Sequence, residues 1–307
     1  MLSRRYRVEC GERCRGPRSK TVHSEYYSSM SECIQALKAK PMKANNQNCQ
    51  YLQIGSLGGH DPEWLGFKDI DEMIEISMNG SKDMSILKEV VKYSAKAQVQ
   101  DKDKLVKKFM DVAGGAVDVP TYLSGSPECM VGLKRAKIKS KVVKIAINCD
   151  VLCDISVSQY IAAGELIAKT VASLEKAGYR VRLLANIGNY NGGSDMALLS
   201  VVIKRENEMC NFRRMLMPLL STAFFRGIGF NWISTLKGYE AGWGLGQRMD
   251  MGFQYDERQS KLAECMEKAT GEHGFAVFSI NDVIGMLDRN GQEKSEGFLR
   301  AKILDLS

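Results

Sequence analysis

The sequence is poor in the residues that usually announce an enzyme. It has three histidines, His23, His60 and His273, in unrelated contexts. None has a Cys or Ser neighbour patterned as a nucleophile, which removes the common Ser-His and Cys-His signatures. No lysine follows a glycine loop in Walker fashion, and Gly242-Trp243-Gly244-Leu245-Gly246 lacks the strand–turn–helix setting of a dinucleotide site. His60-Asp61 offers a base and its orienter on paper, but Asp in a glycine loop more commonly bonds its own turn. No apolar run approaches the roughly 18 residues of a membrane span. No apolar segment follows the N-terminal charges as a signal peptide requires. These absences point to an intracellular, non-membrane and non-enzymatic protein without a cofactor.

What is present is a globular composition: 307 residues, 44% hydrophobic and 26% charged, enough for one large domain or two smaller ones. The formal charge of +7 is unevenly spread. Arg4, Arg5, Arg7, Arg13, Arg15, Arg18 and Lys20 face only Glu9 and Glu12 in the first twenty residues. Residues 1–27 therefore read as a basic, flexible arm, either simply solvated or searching for phosphates. Removing it is expected to leave folding intact, because few apolar residues accompany the charges. Nine cysteines are scattered. The pairs Cys10/Cys14 and Cys149/Cys153 lack the further ligands of a zinc site, so the expectation is free thiols filling core space.

Residues 28–133 read as a mainly helical region with an irregular bracket. A helix is expected over 28–40 with Ser31 as its cap, and another over 69–79 through Ile70, Met73, Ile74 and Ile76. A third covers 85–98. A glycine-rich segment holding Trp64 and Phe67 lies between the first two. The stretch 111–130, with its prolines, glycines and valines, cannot form a long helix and is expected to run along the core as a bracket.

From residue 134 to 307 the pattern is α/β: a mostly parallel sheet flanked by helices. Lys134, Arg135, Lys137, Lys139 and Lys141 form a strip without an acid, a candidate nucleic-acid footprint or a solvated strand entry. Strands are expected over 142–148, 179–187, 198–204 and 275–280, with an amphipathic crossover helix over 158–176. Gly238 to Gly252 reads as a mobile surface loop.

The turn after the first of these strands holds the only constellation with chemical precision. Asp154, Ser156 and Ser158 place one carboxylate and two hydroxyls at alternate positions ahead of a helix. That set can converge on Mg²⁺, and it is also what helix N-capping produces. A cation site would need partners from later loops, for which Thr235 and Asp282 are the candidates.

Four segments, 114–130, 144–148, 174–183 and 218–226, together resemble a family of bacteriophage-encoded proteins of unknown function, with Asp118 to Met130 the specific part. Its C-terminal half resembles a von Willebrand factor A sheet, in which Asp-x-Ser-x-Ser marks the metal turn. The resemblance implies a phage origin, action in the host cytoplasm and an α/β fold, and carries over no catalytic residue. The expected function is binding of a host or phage protein through the α/β domain during infection. The alternative is nucleic-acid binding through the arm and the Lys134 to Lys144 strip.

Overall fold

The β-branched run 142–148 is too apolar for an exposed strand, and it lies inside a six-stranded sheet. A computed structural model describes residues 1–11, 16–39, 67–79, 104–112, 116–136, 141–151, 154–208, 212–241 and 247–306. In chain order the elements begin with β1 (Leu2–Glu9), β2 (Ser19–Tyr27), α1 (Met30–Ala39) and α2 (Ile70–Asn79). A smaller unit follows: β3 (Lys104–Asp111), β4 (Ala116–Val117), α3 (Val119–Leu123) and β5 (Met130–Ala136). Next come β6 (Val142–Asn148), α4 (Val157–Lys176), β7 (Arg180–Tyr190), β8 (Asp195–Lys204) and α5 (Phe212–Leu220). A π-helical turn over Phe224–Gly229 runs into α6 (Phe230–Thr235), and a 3-10 turn spans Met249–Gly252. The chain closes with α7 (Arg258–Thr270), β9 (Phe275–Ser279) and α8 (Ile280–Leu306).

The large sheet has the order β1-β2-β8-β7-β6-β9. Its β2–β8, β6–β7 and β6–β9 pairings are parallel, whereas β1–β2 and β7–β8 are antiparallel. The fold is thus α/β with a mixed central sheet flanked by helices. One face packs against α1, α2, α4, α5, α6 and α8 around Ile145, Leu166, Leu183 and Trp232. The other carries α7 around Leu184, Leu198, Met249 and Met266. Each fully buried aliphatic side chain contributes roughly 1.5–3 kcal/mol, so the two layers account for much of the cohesion. A second sheet, β3-β5-β4, is antiparallel.

Four expectations are corrected. In its described parts, 1–11 and 16–27, the N-terminus is not a flexible arm: β1 and β2 form a hairpin whose second strand pairs with β8. Val8 and Val22 are buried under α7, Tyr6 Oη donates to the Cys265 carbonyl at 2.7 Å, and Arg4 Nη1 donates to the Lys268 carbonyl at 2.6 Å. Gly238 to Gly252 is not a mobile surface loop in its described parts, because Tyr239, Ala241, Met249, Asp250 and Gly252 are buried. The bracket does not run along the core, since no residue of 116–131 is buried. The first helix starts later than read, with Ser29 Oγ rather than Ser31 accepting from the Glu32 amide at 3.2 Å. The expected helix at 85–98 and the segment around Trp64 lie outside the described residues. The free thiols Cys10, Cys33, Cys149 and Cys265 are buried.

Candidate functional site

In an open α/β sheet, ligands gather at the carboxyl ends of the strands where the connections diverge. From β6 the α4 crossover leads to β7 on one side, while β9 lies on the other. The carboxyl ends of β6 and β9 therefore define the crevice to inspect. The registers place Ser200, Asn186, Asn148 and Ser279 in one row across β8, β7, β6 and β9. All four are buried. Asn186 Nδ2 donates to Asn148 Oδ1 at 3.2 Å and also contacts Met266 Sδ.

Beyond this row stands Asp150, 1% exposed, with Oδ1 lacking a hydrogen-bond partner. Asn281, at the start of α8, donates through Nδ2 to the Asp150 carbonyl at 2.8 Å and to Ser279 Oγ at 3.1 Å. Its own Oδ1 is buried without a partner. Asp282 caps the same helix start by accepting from the Ser279 amide. At the 3-10 turn, Arg248 is paired through Nε and Nη2 with both Asp250 oxygens. Arg258 Nη1 of α7 approaches Asp250 at 4.0 Å.

Burial drives the Asp150 carboxyl up to about 7, the Asp250 carboxylate adds to the rise, and Arg248 with two main-chain amides opposes it. Burial works against the Arg248 charge, but its bond to Asp250 and the fields of Asp150 and Asp282 outweigh that, holding it more firmly protonated than usual. Next to Asp150, burial also raises the Cys149 thiol and the Tyr160 hydroxyl, and Tyr160 Oη donates to the Pro218 carbonyl at 2.6 Å. A second buried group, His23, lies 3.5 Å from Asp195 and edge-on to Tyr239, with its pKa lowered by burial and by Arg5.

The residues singled out from sequence fall elsewhere. Ser156 is the N-cap of α4 in a capping box: its Oγ accepts from the Gln159 amide, and Gln159 Oε1 accepts from the Ser156 amide. Ser158 Oγ joins it at 3.0 Å, while Asp154 is exposed on the turn. Thr235 bonds the Trp232 carbonyl, so it and Asp282 serve their own helices. Among the described residues no group of three or more His, Cys, Asp or Glu side chains could hold a metal ion.

The nucleic-acid candidates are split between two sheets. Arg4, Arg5 and Arg7 lie on the edge strand β1. Lys134 and Arg135 lie on β5, and Lys141 is exposed just before β6. Arg13, Arg15, Lys137 and Lys139 lie outside the described residues. Lys144 at the end of the strip pairs with Glu272 at 3.0 Å. The register of β3 with β5 adds what sequence distance hid: Lys107 opposite Lys134 and Leu105 opposite Arg135, with Lys104 and Lys108 on the same strand.

Sequence reading missed Asp150, Arg248, Asp250 and Asn281. One signal was available, an acid directly following a buried parallel strand. The contributions of residues 248 and 281 depend on long-range packing and leave no local pattern.

The architecture is that of an α/β protein with a mixed sheet and a polar cluster at the carboxyl ends of its central strands. The chain belongs to the family described as Domain of unknown function (DUF7192), whose model matches residues 9–301. No curated protein and no solved structure matches it.

Proposed function

We propose that this is a non-enzymatic binding protein whose partner, another protein, docks on the β4–α3 face of the small sheet. The observation behind this reading is the exposure of Val112, Val117, Val119, Tyr122 and Leu123, with Leu123 77% exposed. Single exposed apolar residues are ordinary, but five within a dozen positions form a patch of the kind used for protein contact. Asp118 fixes its shape by capping α3 through the Thr121 amide and hydroxyl. Lys104, Lys107, Lys108, Lys134 and Arg135 lie on the neighbouring strands β3 and β5.

The resemblance supports a partner from phage or host, met in the host cytoplasm. It also supports a von Willebrand A-like assignment for the C-terminal sheet, in keeping with the parallel β6–β7 pair and its α4 crossover. Among the described residues no helix is long and apolar enough to cross a membrane.

A second reading, nucleic-acid binding, draws on the basic residues that the β3–β5 register brings opposite one another, Lys107 and Lys134. One experiment separates the two. Affinity capture from infected cells, nuclease-treated, is compared for the wild type and the double variant Tyr122→Ser, Leu123→Ser. Protein capture lost in the variant at unchanged melting temperature is expected. Capture that survives the substitutions, or binding that nuclease abolishes and that falls steeply with salt, overturns the protein reading, the latter in favour of nucleic acid.

A further inference from the structure

The alternation of β6 sets which side chains meet at its carboxyl end. Ile145, Ile147 and Cys149 belong to the core on the face that carries α4, and Ala146 to the core under α7, so Asn148 and Asp150 point with Ala146 toward α7. The ladder continues one residue past the strand, with the Cys149 amide donating to the Asn186 carbonyl at 2.8 Å. Asn186 on β7 and Ser279 on β9 flank Asn148 in register. Asn281 is tied to the same corner: its Nδ2 donates to Ser279 Oγ and to the Asp150 carbonyl, and its amide to Ser279 Oγ at 3.1 Å. Side chains opposite one another or two apart on one sheet face lie about 5–8 Å from each other, a span that one small ligand bridges.

The buried side-chain atoms of this corner without a partner are Asn186 Oδ1, Asp150 Oδ1 and Asn281 Oδ1. All three are acceptors. Asn186 and Asp150 are 0% and 1% exposed. Met266 Sδ of α7 lies 2.9 Å from Asn186 Nδ2, and Met249 covers Gly188, the residue two beyond Asn186 on β7, so apolar side chains close the corner on the α7 side.

We propose that this corner binds the primary ammonium group of a small amine, whose three N–H donors are taken by Asn186 Oδ1, Asn281 Oδ1 and the Asp150 carboxylate. A primary ammonium carries three donors and no acceptor, the complement of three oxygens that accept. Water brings two hydrogens and no charge to set against the carboxylate. A hard metal ion takes about six or more oxygens, and among the described residues no group of three or more His, Cys, Asp or Glu could hold one. Burial raises the Asp150 carboxyl, and an ammonium bonded to it offsets that cost. Arg248, the cation that acts on Asp150, is bonded through Nε and Nη2 to Asp250, which leaves the Asp150 carboxylate to the ligand. Asn281 is half-buried and Asp282 exposed, so the carbon chain of the amine leaves the corner on that side.

The test is thermal melting of the full chain in methylammonium, potassium and tetramethylammonium chlorides at matched ionic strength, over about 10–300 mM, the range suited to so small a ligand. The ¹⁵N side-chain amide signals of Asn186 and Asn281 are followed in parallel. Methylammonium should raise the melting temperature saturably and shift both signals, whereas tetramethylammonium, a cation without N–H donors, should do neither. Asp150→Asn, which keeps the shape of the carboxyl and removes its charge, should weaken the binding about tenfold or more. An equal response to potassium, the lack of any methylammonium response, or binding unchanged in Asp150→Asn would overturn the proposal. Should the variant fail to fold, the order of the three cations and the two amide signals of the wild-type chain still decide it.

Discussion

At the scale of single residues, this fold contains positions where a general rule reverses. Gly164 lies in the middle of α4, where alanine would ordinarily stabilise a helix by up to about 1 kcal/mol. A Cβ at this position would sit 1.8 Å from the Leu219 main-chain oxygen and 2.6 Å from its carbonyl carbon. Those atoms belong to α5 and cannot swing aside as a side-chain tip can. The glycine is the condition for close approach of two helices, and Gly164→Ala should destabilise by about 1–3 kcal/mol or more. A melting temperature equal to or above that of the wild type would refute this reading. The same dependence on distant atoms governs Asp150. An aspartate at a strand end is unremarkable in sequence, and it is burial in the fold, with the Asp250 carboxylate adding to it, that makes its carboxyl reluctant to ionise.

At the scale of elements, α4 shows how a local signal divides between two meanings. Capping needs one side-chain oxygen near the first helical amides, and Ser156 supplies it with Gln159 completing the box. A cation would need Asp154 and both serines to turn toward one point, while in the structure Ser156 is committed to the helix. Ser156→Ala should cost about 1 kcal/mol. Millimolar Mg²⁺ should leave the melting temperature of wild type and Asp154→Ala alike; a Mg²⁺-dependent rise lost in Asp154→Ala would revive the metal reading. The crossover helix, β6, β7 and β9 were legible because their apolar periods are strong and their partners lie nearby in sequence. The strand expected at 198–204 was found three residues longer, from Asp195. Pro218 ends α5 soon after it enters, and Gly291, with φ of 70°, breaks α8.

At the scale of the whole molecule, the least legible part was the edge of the sheet. β2 buries Lys20, His23, Ser24 and Glu25, residues that read as surface. Lys20 and Glu25 are matched by groups remote in sequence. Lys20 Nζ donates to Tyr190 Oη and the Gly193 carbonyl, and Glu25 accepts from Tyr27 Oη and Trp232 Nε1. Composition cannot reveal such pairing, because a buried polar group is tolerated only by partners the fold brings in. The arginines of β1 mislead for a related reason: charge on an edge strand is a way to discourage edge-to-edge association, and it looks like a free basic tail when the strand is not recognised.

Deleting residues 1–9 is therefore expected to behave oppositely to the trimming of an arm. The deletion uncovers the ladder of β2, removes the buried Val8 and frees the C-terminal turn of α7, whose Lys268 carbonyl is held by Arg4 and whose Lys268 side chain reaches the Arg7 carbonyl at 2.9 Å. Burial of Val8 alone corresponds to roughly 1.5–3 kcal/mol, so the loss should amount to several kcal/mol once the Tyr6 and Arg4 contacts are included. Thermal or urea melts of the truncated chain check this, and an unchanged midpoint would mean that the hairpin contributes no cohesion. Because α7 also supplies Arg258 beside the 248–250 turn, loosening β1 should reach the carboxyl-end crevice through that helix. Exchange over 247–252 in the truncated chain, still folded at low temperature, should exceed that of the wild type at the same pH.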